Sequence, residues 1–330
     1  MVKTKKDRIL VTGGAGYIGS HVTEQLIKIK KNVVILDNLK TGYKTLINKK
    51  AKFIKGDISN IKLLKKIIKK NNISTIIHCA GLIDVIESQK YKKKYHKNNV
   101  LGTLNLIKII KNSSIKNFIF SSSAGVYGNI KKAAKETMKT KPINYYAVTK
   151  LKCELLIKKY SKMYNFNYAI LRYFNVAGAS PTGKIGIINK KNNSLFKILA
   201  KQALKKKPVI NIFGNKYKTN DGTCLRDFIH VSDLASIHLK SLEVLNKKKK
   251  SFLINCGYGK ASSVLEIINL FKKNINKFTQ INFKKARKGE IVISYSNTDK
   301  MKKILNWKPK YNNINLILKN AIKWENKIKQ

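Results

Sequence analysis

The chain is short of acids, of arginine and of cysteine, and it has no long apolar run. Only 16 Asp and Glu face 70 Lys and Arg in 330 residues, a formal charge of +54. Just four of those basic residues are arginine: Arg8, Arg172, Arg226 and Arg287. A nucleic-acid-binding chain concentrates its charge on one face and uses arginine freely. Here lysine is spread from end to end beside abundant Asn and Ile, three residues encoded by A/T-rich codons. Codon composition accounts for that pattern better than a selected polyanion-binding surface, so no nucleic-acid partner is expected. The scarcity makes each arginine informative. Lysine stands wherever a point charge suffices, and a retained guanidinium points to planar, bidentate recognition. Cys79, Cys153, Cys224 and Cys256 show no metal-like spacing, so no metal site is expected and a reducing cytoplasm fits. No apolar run approaches the ~20 residues of a membrane span. Met1 to Asp7 is polar and Ile9 to Val11 is too short for a signal core, so neither a membrane nor a signal peptide is expected.

What is present begins with Thr12-Gly13-Gly14-Ala15-Gly16-Tyr17-Ile18-Gly19. The apolar run Ile9-Leu10-Val11 precedes it, and a helical pattern from Ser20 to about Ile29 follows. Gly13, Gly16 and Gly19 let the backbone turn tightly and approach a pyrophosphate, with the helix N-terminus facing the anion. A second strand, Asn32 to Leu36, is closed by Asp37. An acid there can bind both ribose hydroxyls of an adenosine and repel a 2′-phosphate. The stretch predicts a dinucleotide site that prefers NAD over NADP.

The first half alternates strand and helix patterns, which predicts an α/β chain with a doubly wound parallel Rossmann sheet. Phe53 to Asp57 is a third strand end, Ile61 to Lys70 a helix, and Thr75 to Gly81 a buried strand ending in small residues. A long helix is expected over Lys94 to Lys111. Asn117 to Ser123 is a strand turning polar at its end, Asn144 to Tyr164 a helix, and Tyr168 to Asn175 a further strand. Beyond it the alternation becomes irregular and Thr182 to Ser194 is loop-like. The expected division is residues 1–175 and a smaller C-terminal α/β domain over 176–330, with some segments packing back on the first. At 43% hydrophobic residues there is ample material for a core.

Tyr146 and Lys150 lie four apart in a helical pattern and so share a face. An ammonium there favours the phenolate and can reach a cofactor ribose. The positive charge of a bound nicotinamide lowers the phenol further, giving a base that works near neutral pH. Ser123, at the end of a separate strand, supplies a hydroxyl for the reacting oxygen.

These features together resemble the extended short-chain dehydrogenase/reductase family. The glycine loop, Asp57-Ile58, Ser121 to Gly128 and Tyr146 to Lys150 carry that likeness. Asn98-Asn99-Val100, Leu171 to Asn175, Ile212-Phe213-Gly214, Asp221 to Val231, Arg287 to Glu290 and Leu305-Asn306-Trp307 narrow it to the UDP-glucose 4-epimerase family, over about residues 8 to 326. The resemblance implies a tightly held NAD, reduced and reoxidised within each turnover. Tyr146 would take the 4-hydroxyl proton, and the 4-keto sugar would turn and return with C4 inverted. Ser123 would steady the 4-oxygen. It implies a cofactor site of Gly13, Gly16, Tyr17, Ile18, Gly19, Asp37, Asn38, Asp57, Ile58, Ala80, Gly81, Asn99, Tyr146, Lys150 and Phe174. It implies a UDP-sugar site of Ser123, Tyr146, Asn175, Ser194, Leu195, Phe213, Arg226, Arg287, Glu290 and Ser294. Residues 1–175 would bind NAD and 176–330 the UDP-sugar, in a homodimer formed through helices near 94–111 and 146–164.

The chain departs from the family pattern at Ile83, where many relatives carry Lys, and at Ile86, where they carry Gly. The stretch Gly186 to Ser194 matches poorly, and some relatives carry Thr at Gly125. A small residue at Ser294 implies space for an acetamido group, hence activity on UDP-GlcNAc and UDP-GalNAc. The rival on this fold is a sugar-nucleotide 4,6-dehydratase, which needs an acid and a base where this chain has Ala124-Gly125. A rival of another class, a non-enzymatic polyanion-binding protein, predicts a decayed site, whereas Tyr146, Lys150 and Ser123 are all present.

Overall fold

The computed structural model describes residues 7–188, 194–287 and 289–329. The chain divides into two compact units. Unit 1 comprises Met1–Val126, Pro142–Arg172 and Ala235–Ile254; unit 2 comprises Tyr127–Lys141, Tyr173–Leu234 and Asn255–Gln330. The elements follow in order as β1 (Arg8–Thr12), α1 (Tyr17–Lys28), β2 (Asn32–Asp37), β3 (Lys52–Lys55), α2 (Ile61–Asn71), β4 (Ile73–His78), α3 (Val85–Lys90), α4 (Lys92–Tyr95), α5 (Gly102–Lys108), β5 (Asn117–Ser123), α6 (Tyr145–Tyr164) and β6 (Asn167–Tyr173). After them come β7 (Asn175–Ala177), α7 (Leu195–Ala203), β8 (Val209–Phe213), β9 (Leu225–Arg226), β10 (Phe228–His230), α8 (Val231–Lys248), β11 (Phe252–Cys256), β12 (Ser262–Ser263), α9 (Val264–Ile275), β13 (Gln280–Lys284), β14 (Ile293–Ser294), α10 (Asp299–Leu305) and α11 (Ile314–Lys329).

The apolar strand runs of unit 1 form a seven-stranded sheet in the order β11-β6-β5-β4-β1-β2-β3. From β3 to β5 neighbouring strands are parallel, with Thr12 in register with Leu36 on one side and His78 on the other. The chain first builds outward from β1 through β2 to β3, then restarts on the opposite side of β1 with β4. Ligands of such sheets bind at the carboxyl ends of the strands where this reversal occurs. The carboxyl ends of β1 and β4 carry the glycine loop and Ala80-Gly81. Leu10, Val34, Ile76, Phe118, Ile157 and Ile170 belong to one buried cluster that fixes helices to this sheet. Burying a side chain of that size stabilises by about 1.5–3 kcal/mol.

Unit 2 is built from shorter strands. β8 and β13 form a parallel pair, β9 lies between β12 and β14, and β10 pairs with β7. Phe196, Leu199, Ile210, Phe228, Ile267, Phe271, Ile317 and Leu318 make its core.

The structure corrects three expectations. The helix expected over Lys94 to Lys111 is broken: a π-helical turn spans His96–Leu101 between α4 and α5. The carbonyl of Asn99 accepts the Thr103 hydroxyl at 2.6 Å and the Cys153 thiol at 3.4 Å. The strand expected to reach Asn175 ends at Tyr173. The Phe174 N–H turns to the Cys256 carbonyl, and the Asn175 N–H bonds the Asp227 carbonyl at 2.9 Å in the β7–β10 pair. The first helix starts at Tyr17, three residues early, with Gly16 as its N-cap. Of the loop expected over Thr182 to Ser194, residues 189–193 lie outside the described residues.

Candidate active site

The glycine loop is shaped by its own backbone. Gly13 has φ +71°, and a Cβ there would lie 2.6 Å from the Ala80 nitrogen. A Cβ on Gly19 would lie 2.2 Å from the Gly13 carbonyl oxygen. Glycine is therefore required where β1, the loop and the chain after β4 meet. A Cβ on Gly16 would touch only the Gly13 carbonyl oxygen, at 3.2 Å. Gly16 gives α1 no side-chain cap, and its first turn holds no acid, so the positive end of the helix faces the loop. Tyr17 and Ile18 form that first turn.

Asp37 ends β2 and accepts the Ala15 N–H at 3.0 Å and the Leu39 N–H at 2.8 Å. Burial raises its pKa against those bonds. Asn38 donates to Asp57 at 2.7 Å. Burial opposes ionisation of Asp57, but bonds from the Ser59 N–H and from Asn38, with the charge of Lys40, bring it down to about 2. The Ile58 side chain is buried and would be 2.5 Å from a Cβ on Gly102, so Gly102 lets α5 close on it. Asn99, buried in the π turn, bonds the Leu82 N–H and carbonyl at 2.8 and 3.0 Å and Thr149 at 3.1 Å. A Cβ on Gly81 would lie 3.3 Å from the Asn99 Oδ1 and 3.7 Å from the Lys150 Nζ. The π turn therefore ties the strand end of β4 to α6, consistent with the frequent use of such turns at functional sites.

Helix α6 is started by Asn144, whose side chain accepts the Ala147 N–H at 2.9 Å. That cap places Tyr146 and Lys150 over the end of β5. Lys150 is buried; its Nζ donates to the Ser121 carbonyl at 2.7 Å and stands 4.9 Å from the Phe120 ring and 5.8 Å from the Tyr146 ring. Burial lowers the Lys150 pKa, opposed by Cys153, Cys79 and Glu154. Burial pushes Tyr146 up to about 12, although the neighbouring Ser123 hydroxyl pulls it down. The phenol by itself therefore keeps its proton at neutral pH, above the range a base needs, because desolvation outweighs the hydroxyl. Ser123 also accepts the Gly125 N–H at 3.1 Å.

In unit 2, β14 pairs with β9 so that Ser294 is in register with Arg226. Arg226 donates to Glu290 at 2.7 Å and to the Val292 carbonyl at 3.1 Å. The guanidinium carbon of Arg287 stands 3.9 Å from the Phe213 ring centroid. Asn175 bonds the carbonyl of Asp227, next to Arg226. Ser194 is the N-cap of α7 and Leu195 its first residue. Phe174 lies buried in this unit. The structure thus gathers Ser123, Tyr146 and Lys150 in unit 1, and Phe213, Arg226, Arg287, Glu290 and Ser294 in unit 2.

The NAD dependent epimerase/dehydratase family matches residues 9–257. The chain belongs to that family. It is 36% identical to the UDP-glucose 4-epimerase of Azospirillum brasilense over 98% of this chain and 93% of that one. A UDP-glucose 4-epimerase from Bifidobacterium longum, solved with NAD+ and UDP, superposes with a TM-score of 0.90 at 32% identity, covering 97% and 98% of the two chains. The UDP-Glc/GlcNAc 4-epimerase of Campylobacter jejuni gives 0.83 at 37% identity, covering 97% and 99%.

Two buried groups beside these residues carry no motif of their own. Glu154 lies a further four residues beyond Lys150, a spacing that was visible. Thr149 meets Asn99, which nothing in the sequence pairs with it.

Proposed function

We propose that the chain inverts C4 of a UDP-hexose, interconverting UDP-glucose and UDP-galactose with a resident NAD. The observation that carries this reading is the buried Lys150, fixed on the Ser121 carbonyl at 2.7 Å with its Nζ 5.8 Å from the Tyr146 ring, on a chain whose full-length relatives carry that activity. The tight glycine turn at Gly13, the uncapped start of α1 and the acid of Asp37 suit a dinucleotide with unphosphorylated ribose. In unit 1, Gly13, Gly16, Tyr17, Ile18 and Gly19 would face its pyrophosphate, Asp37 and Asn38 its adenosine, and Asp57 and Ile58 would back the adenine side. Ala80, Gly81 and Asn99 shape the strand end nearest the nicotinamide half. Phe174 belongs to the cofactor set that the family resemblance implies.

NAD, when bound, supplies the hydride acceptor and donor and a positive charge beside the phenol. Tyr146 takes the proton of the sugar 4-hydroxyl and later returns it. Ser123 holds the 4-oxygen. Lys150, charged and fixed on the Ser121 carbonyl, stabilises the phenolate. Arg226 and Arg287 suit a diphosphate, Glu290 accepts a ribose hydroxyl, Phe213 packs on the uracil side, and Asn175, Ser194, Leu195 and Ser294 line the sugar nucleotide. Ala124 and Gly125 offer no acid or base, which disfavours dehydration.

Purified protein should interconvert UDP-glucose and UDP-galactose without added NAD. Protein that holds no nucleotide and consumes NAD in proportion to product is a net dehydrogenase, and the reading fails.

Ser294 shares a face with Arg226, its register partner, which favours a wider sugar pocket and a second activity on UDP-GlcNAc and UDP-GalNAc. A homodimer is supported by Leu101 and Leu155, exposed at 43% and 57% within the segments near 94–111 and 146–164 for which the resemblance implies pairing. A cytoplasmic location agrees with four free thiols.

A further inference from the structure

On α6, Tyr146, Lys150 and Glu154 follow at intervals of four and share one face. Three consecutive residues of β5 meet them. Ser123 neighbours the Tyr146 phenol, the Ser121 carbonyl accepts from Lys150 at 2.7 Å, and the Ser122 hydroxyl donates to Glu154 at 2.5 Å. Glu154 has 0% exposure and Arg172 has 3%. Arg172, from β6, donates through Nε and Nη2 to the two Glu154 oxygens at 2.9 and 2.6 Å. The reaction as described uses neither residue.

An ion pair this deep is an expensive way to hold two elements together. Apolar side chains of the same volume do so at least as well, because the desolvation of both charges is avoided. What the pair adds is geometry. A planar guanidinium fork donates to a carboxylate in one orientation, and that carboxylate fixes the hydroxyl of Ser122, which lies between Ser121 and Ser123 on β5. The chain retains one of its four arginines here, where lysine could supply the charge but not the fork.

We propose that Glu154 and Arg172 are positioning residues for the proton transfer: through Ser122 they set the end of β5 against α6, and with it the approach of Ser123 to Tyr146. The inference rests on the reading of Tyr146 as the base. It deepens that reading by placing the precision of the site in a buried pair that never touches substrate.

The test uses full-length protein with its bound NAD. The double variant Glu154→Leu/Arg172→Met replaces the pair by apolar groups. Its kcat for UDP-galactose should fall at least tenfold while KM and NAD content stay within twofold of wild type, and amides 121–126 should exchange hydrogen faster. Arg172→Lys keeps the charge without the fork, and its kcat should fall threefold to tenfold at constant KM. A double variant with wild-type kcat and wild-type exchange overturns the proposal, as does one in which kcat, KM and NAD content decline together. If the double variant does not fold, Arg172→Lys and Glu154→Gln decide: reduced kcat at constant KM in both supports positioning, and wild-type kcat in either overturns it. A wild-type protein that does not epimerise overturns the proposed function instead. Exchange at 121–126 then decides the positioning role, and exchange unchanged in the variants overturns it.

Discussion

The reactive groups of unit 1 and the charged groups of unit 2 are held in different ways. Tyr146 and Lys150 stand on a 20-residue helix over the end of a seven-residue strand. Lys150 is fixed on the Ser121 carbonyl of that strand, and the Tyr146 N–H on the Ser88 hydroxyl of α3. Arg226 and Ser294 stand on strands of two residues each, and Glu290 and Arg287 on the chain before the second strand. Proton transfer requires heavy atoms held within hydrogen-bond reach, and long regular elements hold side chains more tightly than loops do. A diphosphate asks for less: long guanidinium side chains reach it and form two bonds each. Loss of a group in unit 1 should therefore appear in kcat, and loss of one in unit 2 in KM.

The largest effect should come from Tyr146→Phe. Fold and cofactor contacts survive, but the proton acceptor is gone. General base catalysis contributes roughly 10²–10⁴ in rate, so kcat should fall by about that much with NAD content unchanged. Turnover and bound nucleotide measured on the same preparation check it. Near-normal turnover would remove Tyr146 from the role and break the contrast between the units.

The interior of unit 1 should also register in acid. His78, 1% exposed, bridges Thr12 at 2.7 Å and Thr103 at 2.9 Å. Burial, and then the charge of Lys150, depress its pKa from 6.5 to about 3. The unfolded chain binds a proton there below about 6.5, and the folded one does not until about 3. Stability is therefore complete above pH 6.5 and declines as pH falls toward 3, by about 1.4 kcal/mol per pH unit from this group. His78→Gln should flatten that part of the curve. Urea unfolding at pH 7, 6 and 5 measures it, and parallel curves for the two proteins would show His78 to be irrelevant.

The same contrast explains how much could be read from the residues. The strand, glycine loop and helix around Gly13, the strand closed by Asp37, and the β5–α6 pair all follow from local periodicity and from spacings of a few residues. The π turn at Asn99 does not. It depends on Thr103 and Cys153 drawing on one carbonyl, and Cys153 is far away in sequence. Nor could residues 235–254 be placed with unit 1 from their own pattern, since β11 joins the sheet beside β6 through a long-range pairing. In unit 2, Arg226 and Glu290 were each recognisable from their motifs. Their mutual hydrogen bond was not, because it arises from the register of two very short strands. The apolar setting that lifts Tyr146 to about 12 was likewise invisible, since burial is a property of the packed chain.

Arg226→Met should separate the units more sharply. It removes a diphosphate contact and leaves Glu290 without its partner at 2.7 Å. A charged hydrogen bond is worth about 1.5–3 kcal/mol, so KM for UDP-galactose should rise by roughly tenfold to a hundredfold with kcat nearly unchanged. Arg226→Lys should recover only part of this, because lysine cannot bond Glu290 and an anion as a planar fork does. Steady-state kinetics of the two variants test it. A loss confined to kcat would move Arg226 from binding to chemistry.

The smallest effect should be one of selectivity, at Ser294. In the parallel pairing of β14 with β9, Ser294 is opposite Arg226 and Ile293 opposite Leu225. Register partners in a sheet project to the same face, and the next residue to the other. Ser294 therefore shares the face of the proposed diphosphate contact, while Tyr295 takes the opposite one and its carbonyl accepts the Ala134 N–H at 2.9 Å. A serine on the sugar side leaves room for an acetamido group and offers it a hydroxyl. Ser294→Tyr fills that room. It should lower kcat/KM for UDP-GlcNAc by about tenfold to a hundredfold, the range that pocket contacts of this size command, and leave UDP-galactose within about twofold. Parallel assays of both sugars on wild type and variant give the answer. A wild-type protein inert toward UDP-GlcNAc at high enzyme concentration, yet active on UDP-galactose, would show that Ser294 does not set the width of the pocket.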